Sequence, residues 1–192
     1  RVGAPGRHWV LNTLGVLGAA KAMGADLDVA TAMLARLAPP KGRGNRLAIP
    51  IEGGELTLID ESYNASPVAV SAAIDVLGMS APAGSGRRIA VLGDMLELGE
   101  ASDNMHRALA GPLTQRRIDA VFTAGAGMGK LFDDLPRDMR GGHAESADKL
   151  APLVTAAVRP GDVILVKGSL GSRMATVVDA LPALGEPQTL HG

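Results

Sequence analysis

The spacing of apolar positions changes partway along the chain. Val10, Leu11, Leu14, Leu17 and Met23 recur near helical spacing between alanines, which predicts a helix over 7–23 closed by Gly24. Val29, Met33, Leu34 and Leu37 predict a second helix from about Asp28 to Leu37, capped by Asp26 or Asp28. Pro39-Pro40-Lys41-Gly42-Arg43-Gly44 cannot continue a helix and marks a boundary. Two helices bury too little surface to stand as a domain. Residues 1–38 are therefore expected to end a larger upstream domain, and residues 39–186 to form a domain of their own.

From residue 46 strand-like and helix-like segments alternate. Leu47–Ile51 and Glu55–Asp60 flank Gly53-Gly54, the pattern of a hairpin. Ser66-Pro67 opens a helix to about Gly78, with serine as N-cap and proline in the first turn. The short apolar runs at 88–93, 120–124 and 162–167 suit strands buried on both faces. Helical segments are expected at 102–115, 128–135, 147–158 and 172–184, with Pro152 obscuring where the third of these starts. Strands separated by helices imply crossover connections. The expected fold is α/β: a mostly parallel sheet with an antiparallel edge hairpin, preceded by two helices. Residues 187–192 are expected to be a disordered tail.

Composition narrows the function. The aromatic residues are Trp9, Tyr63, Phe122 and Phe132, so the core is aliphatic and base-stacking nucleic-acid modules are disfavoured. A formal charge of −1 gives no field to steer the chain to DNA or an anionic membrane. The absence of cysteine excludes disulfides and zinc-thiolate sites. The apolar runs fall short of the roughly 20 residues of a spanning helix. No signal-peptide pattern precedes residue 7, so a cytoplasmic origin is expected. The chain opens on Arg1 rather than methionine, as a piece of a longer polypeptide would.

Ligands of open α/β sheets bind beyond the carboxyl ends of the strands. Here those ends carry Asp60-Glu61-Ser62-Tyr63-Asn64, Gly93-Asp94, Gly125-Ala126-Gly127-Met128-Gly129 and Lys167-Gly168-Ser169. The glycines at 125–129 match a dinucleotide fingerprint only loosely, and glycines after a strand usually just turn the chain. Lys167 followed by Gly-Ser suits a phosphate or carboxylate, or else a snorkelling surface lysine. Asp60 and Glu61 point to opposite faces and do not share one proton; either could accept bonds from ribose hydroxyls, or both could be solvated acids. His106 reads as a surface or capping histidine. His8 and Asn12 share a helix face but lack a third metal ligand, so no metal site is expected. Arg43, between two glycines, has no neighbouring bulk to keep its guanidinium from a phosphate.

In order, Gly6-Arg7-His8-Trp9-Val10-Leu11-Asn12, Gly42-Arg43, DESYNASP over 60–67, VLGDMLELG over 91–99, His106 and Val166-Lys167-Gly168-Ser169 resemble the Mur ligases over nearly the whole chain. DESYNASP and VLGDMLELG are the specific segments. They resemble the branch that adds D-alanyl-D-alanine to a UDP-muramoyl-tripeptide in peptidoglycan synthesis. The resemblance implies an ATP-dependent ligase with Mg²⁺, whose central ATP-binding domain ends at about residue 38 and whose C-terminal domain is Rossmann-like. It further implies that Asn12 contacts adenine, Arg43 reaches the ATP phosphates, and Glu61, with Asp60 as competitor, holds the ribose. Tyr63, Asn64 and Ser66 would lie near the dipeptide, and Lys167 and Ser169 would face the reacting groups. Asp94 and His106 belong to the pattern without an assigned role. Two positions depart from it: Trp9, where the family often has asparagine, and Glu61, where many members have aspartate.

No G-x-x-x-x-G-K-[ST] loop is present; the one Gly-Lys pair, Gly129-Lys130, is followed by Leu131. The phosphate cradle, metal ligands and uridine site are thus expected upstream, and the chain is expected to be inactive alone. The alternatives are another Mur ligase, a folylpolyglutamate synthase relative, or a stand-alone Rossmann-like binding module.

Overall fold

The computed structural model describes residues 7–34 and 40–185. The chain divides into two compact units, Arg1–Pro40 and Lys41–Gly192. The expected helix end at Leu37, the boundary after residue 38 and the tail 187–192 lie outside the described residues.

The first unit contains α1 (Arg7–Ala22) and α2 (Leu27–Leu34). Asp26 is the acid that caps α2: its Oδ1 accepts from the N–H groups of Asp28 and Val29 at 2.8 and 3.2 Å. Leu11, Leu14 and Val16 on α1 and Val29 and Met33 on α2 are each 56–60% exposed. The pair therefore leaves apolar surface uncovered.

The second unit is built on a six-stranded sheet. Strands β1 (Asn45–Ile51) and β2 (Gly54–Glu61) form the antiparallel edge hairpin, with Ile51 opposite Gly54. Strands β3 (Arg88–Gly93), β4 (Ala120–Ala124), β5 (Arg140–Ala144) and β6 (Val163–Lys167) run parallel to β2 in the order β1-β2-β6-β3-β4-β5. The chain steps outward through β3, β4 and β5, then returns to insert β6 between β2 and β3. That insertion is what brings Lys167 beside Glu61 in the β2–β6 register.

Alternation along the strands feeds two cores. Ile59, Leu92, Val121 and Leu165 face α3 (Pro67–Gly78), α5 (Ala110–Gln115) and α6 (Ala126–Asp134). Leu58, Val91, Phe122 and Val166 face α7 (Ala147–Ala157) and α8 (Ala175–Ala180). On α3, Val70, Ala73, Ile74 and Leu77 form one buried stripe at i, i+3, i+4 and i+7. Ser66 caps α3 by accepting from the Ala69 N–H, with Pro67 in the first turn, as expected.

Three expectations change. The helix expected over 102–115 breaks into α4 (Ser102–Arg107) and α5, because Pro112 has no N–H to give and its ring would meet the carbonyl of Ala108. Strand β5 was not expected: Arg140-Gly141-Gly142-His143-Ala144 has no apolar run. Glycine is needed there, since a Cβ on Gly141 would collide with the Phe122 ring. The last helix is only α8, bounded by 3₁₀ turns at Leu170–Ser172 and Pro182–Gly185. By contrast α7 runs through Pro152, carried by burial of Ala147, Leu150, Ala151 and Val154.

At the opposite end of the sheet, fully buried Asp162 ties β3 to β6. Its carboxylate accepts from the Arg87 backbone N–H at 2.8 Å, from the Arg87 guanidinium at 2.8 Å and from the Arg159 N–H at 3.0 Å. Asp162→Ala strands those donors and should lower unfolding free energy by about 2–4 kcal/mol. Urea denaturation of the purified chain checks this; a loss within about 0.5 kcal/mol, typical of an unimportant surface change, would contradict it.

Candidate functional site

The carboxyl end of β2 splits its two acids between different tasks. Asp60 is 1% exposed. Its Oδ1 accepts from the Ser62 N–H at 3.1 Å and the Ser62 hydroxyl at 2.7 Å, and its Oδ2 accepts from the Gly42 N–H at 3.0 Å. The Gly44 N–H donates to the Asp60 carbonyl at 2.8 Å, and the Tyr63 N–H to the Gly42 carbonyl at 3.2 Å. Gly42 takes φ +77° with its α-carbon against Tyr63, where a Cβ would come within 2.9 Å of the tyrosine Cβ. Arg43 at the tip is exposed, and its guanidinium lies 4.4 Å from the centre of the Tyr63 ring. A cation over an aromatic face is attracted by the ring quadrupole, which gives the arginine a preferred place while leaving its donors free.

Glu61 lies on the other face. Its carboxylate accepts from the Lys167 ammonium at 2.8 Å, and the ammonium also donates to the Asn64 carbonyl at 2.9 Å. Lys167 is 4% exposed, so it is not a snorkelling surface lysine. Ser169 is likewise enclosed: its hydroxyl accepts from the Leu96 N–H at 2.9 Å and donates to the Ala65 carbonyl at 3.4 Å, while its N–H donates to the Asp94 carbonyl at 3.1 Å. These two residues join the loops after β2, β3 and β6. Tyr63, Asn64 and Ser66 sit on the exposed rim of the same loops. Asn12 is exposed on α1, in the first unit.

The turn after β4 is closed from within. Asp94 accepts from the Met128 N–H at 2.7 Å and the Gly127 N–H at 3.3 Å, so the first amides of α6 are spent on the protein's own carboxylate. That favours the plain reading of Gly125–Gly129 as a turn. His106 is 1% exposed, which corrects the expectation of a surface histidine. Its Nε2 faces the Met95 N–H at 3.0 Å and must accept from it; the proton therefore sits on Nδ1, which donates to the Ser102 carbonyl at 2.7 Å.

Two hollows flank these elements. One, of about 250 Å³, lies at the carboxyl ends of β3 and β4 and is lined by Asp94, Leu96, Gly125, Glu145, Asp148 and Arg173. A hydrogen bond from Lys149 holds the Glu145 carboxyl below the ordinary carboxylate range. The larger, about 750 Å³, lies at Pro50–Glu52 and Val158–Pro160, at the far ends of the strands, away from Arg43 and Lys167. Among the described residues no three His, Asp or Glu side chains are grouped to hold a metal ion, and no helix is long and apolar enough to cross a membrane.

Sequence reasoning missed Ser62 and Gly42 as members of the site. An aspartate followed two residues later by a serine is the pattern of a side chain bonding its own downstream backbone, and that signal was available. Gly42 against Tyr63 had no local signal, because it joins segments about twenty residues apart.

Residues 45–170 match the family described as Mur ligase, glutamate ligase domain. The chain is 33% identical over 202 aligned residues to UDP-N-acetylmuramoyl-tripeptide–D-alanyl-D-alanine ligase of Mycobacterium tuberculosis, covering 95% of this chain and 39% of that protein. The like-named Bacillus subtilis protein is 32% identical, with 92% and 38% covered. Among solved structures, a MurF ligase from Thermotoga maritima in complex with ADP superposes with a TM-score of 0.74 at 26% identity, covering 94% of this chain and 39% of that one. The chain thus spans about two-fifths of the length of the relatives it matches.

The Glu61–Lys167 pair gives a test that needs no substrate. Lys167→Met leaves a largely buried carboxylate unpaired and should cost about 3–5 kcal/mol of stability. Glu61→Gln in the same chain should restore much of it. Equal stability of the single and double variants in urea denaturation would show that the pair is not coupled.

Proposed function

The chain belongs to the Mur ligase family, and we propose that it is the C-terminal part of the enzyme that joins D-alanyl-D-alanine to a UDP-muramoyl-tripeptide at the expense of ATP. On this reading residues 1–38 end the central ATP-binding domain, and residues 39–186 form the domain that completes the active site. The uncovered apolar faces of α1 and α2 support the first part: side chains such as Leu14 and Met33 are what a larger domain would bury. The magnesium ligands and phosphate loop are assigned to that upstream domain, since this sequence carries no such loop. A cytoplasmic location follows from the nucleotide substrates.

A carboxylate is a poor acyl donor because oxide is a poor leaving group. In the proposed reaction ATP phosphorylates the tripeptide carboxylate, the dipeptide amine attacks the acyl phosphate, and phosphate leaves. Catalysis of this kind rests on positioning and on neutralising phosphoryl charge. The observation that carries the reading is the exposed Arg43 guanidinium, seated on Tyr63 at the carboxyl edge of the sheet. There its planar fork can meet a phosphate through two N–H groups. Glu61 is the better candidate for the ribose, because Asp60 is enclosed and engaged. Lys167 then acts from within: it holds Glu61 and the Asn64 backbone in place, and reaches reacting groups when the nucleotide draws Glu61 away. Tyr63, Asn64 and Ser66 form the rim that meets the dipeptide, Ser169 sets the spacing of the loops beneath it, and Asn12 is the adenine contact.

The test is Arg43→Ala in the polypeptide that includes the upstream domain. ATP-dependent, dipeptide-dependent phosphate release should fall about a hundredfold or more, with binding of the UDP-linked precursor retained. Wild-type turnover would remove Arg43 from the mechanism. The 192-residue chain alone should show no ligation; measurable turnover by it would sink the division of labour.

A further inference from the structure

We propose that Asp60 is the positioning residue for Arg43: its buried carboxylate latches the Gly42–Gly44 turn to the end of β2, and so aims the guanidinium without itself touching a ligand. The inference rests on the reading above, in which Arg43 meets a phosphate.

The loop needs an external hold. Gly42 and Gly44 both have positive φ, +77° and +92°. Two glycines around one long side chain leave an untethered arginine spread over many orientations. Three bonds remove that freedom. The Gly42 N–H donates to Asp60 Oδ2, the Gly44 N–H donates to the Asp60 carbonyl, and the Gly42 carbonyl accepts from the Tyr63 N–H. The first is charge-assisted and shielded from water, which makes it the strongest of the three. Ser62 fixes the carboxylate in turn through two bonds to Oδ1. The series runs from Ser62 to Asp60 to Gly42, and from there to Arg43 resting on Tyr63. Lys41, one residue before the turn, pairs with Asp179 of α8 at 3.3 Å, but both are largely exposed and their bond is weak.

Asp60 and Glu61 are thus adjacent carboxylates with separate duties, set by the two-residue period of the strand. Asp60 pairs in register with Val166, whose side chain is in the core under α7 and α8. Glu61 pairs in register with Lys167 on the other face. An acid at position 60 acts on the turn, and an acid at position 61 acts on the lysine and the ligand.

The experiment compares the wild-type 192-residue chain with Asp60→Asn by NMR, and both forms of the intact ligase by kinetics. Asparagine has the same shape but one acceptor oxygen, so it cannot serve both Ser62 and Gly42. Exchange of the Gly42 amide should quicken by about tenfold to a hundredfold. The Arg43 side-chain protons should lose the ring-current shift from Tyr63. In the ligase, kcat should fall toward the Arg43→Ala value with KM for the UDP-linked precursor unchanged, and Asp60→Asn should add nothing in an Arg43→Ala background. Additive losses in the double variant, or an Asp60→Asn chain that keeps both Gly42 protection and the Arg43 shift, would overturn the proposal. Should Asp60→Asn fail to fold, the wild-type chain still decides: a Gly42 amide exchanging at the unfolded rate rules the latch out. Gly42→Ala offers a second route, since its Cβ would press on Tyr63 and displace the turn with Asp60 intact. An Arg43 that keeps its shift in Gly42→Ala would also count against the latch. If Arg43→Ala itself turns over normally while Asp60→Asn frees the turn, the phosphate reading fails and the latch stands.

Discussion

A carboxylate taken out of water must be given donors, and that requirement organises the carboxyl edge of this sheet. Asp60, at 1% exposure, draws in the Ser62 hydroxyl and N–H and the Gly42 N–H. In satisfying one charge, the fold joins the turn that precedes the sheet to the loop that leaves β2. Arg43 and Tyr63 end face to face because their neighbours are bonded to the same side chain.

The same logic recurs with Lys167, Ser169 and Asp94. Each is an enclosed or half-buried polar side chain at a strand end whose partners lie on other elements: Glu61 of β2 and the Asn64 carbonyl for the lysine, Leu96 and Ala65 for the serine, and Gly127 and Met128 at the start of α6 for half-buried Asp94. A buried group left unpaired costs more than a made bond returns, so loops carrying such groups have few alternative arrangements. The result is a preorganised rim. Exposed chemistry, namely Arg43, Tyr63 and Ser66, stands on enclosed supports. Preorganisation of this kind suits phosphoryl chemistry, where positioned charge does most of the catalytic work.

How much of this could be read beforehand varies by element. The runs at 88–93, 120–124 and 162–167 are mostly apolar, with Arg88, Asp162 and Lys167 only at their ends, and they formed β3, β4 and β6, buried on both faces. Ser66-Pro67 carried its own cap chemistry and opened α3. Strand β5 could not be seen, because it has no apolar run and Gly141 is required by the Phe122 ring on a neighbouring strand and not by any local preference. His106 differs from its expectation for a related reason: one polar residue in a polar stretch looks exposed until the loop after β3 brings the Met95 N–H to it, while its bond to the Ser102 carbonyl, one turn back on α4, is local. The break before α5 has a local signal in Pro112, which lacks the N–H that a continuous helix would bond to Ala108.

The linear chain by itself determined the class of fold, the hairpin, the capped helices and the concentration of polar residues at strand ends, because periodicity and capping act between residues a few positions apart. It also carried the family resemblance in two short segments, DESYNASP and VLGDMLELG. Which polar groups face a ligand and which support others was decided only in three dimensions. Inserting β6 between β2 and β3 sets Lys167 beside Glu61, although 106 residues separate them along the chain. Burial, which depends on every neighbouring element at once, then fixed Asp60 as a support and left Arg43 free.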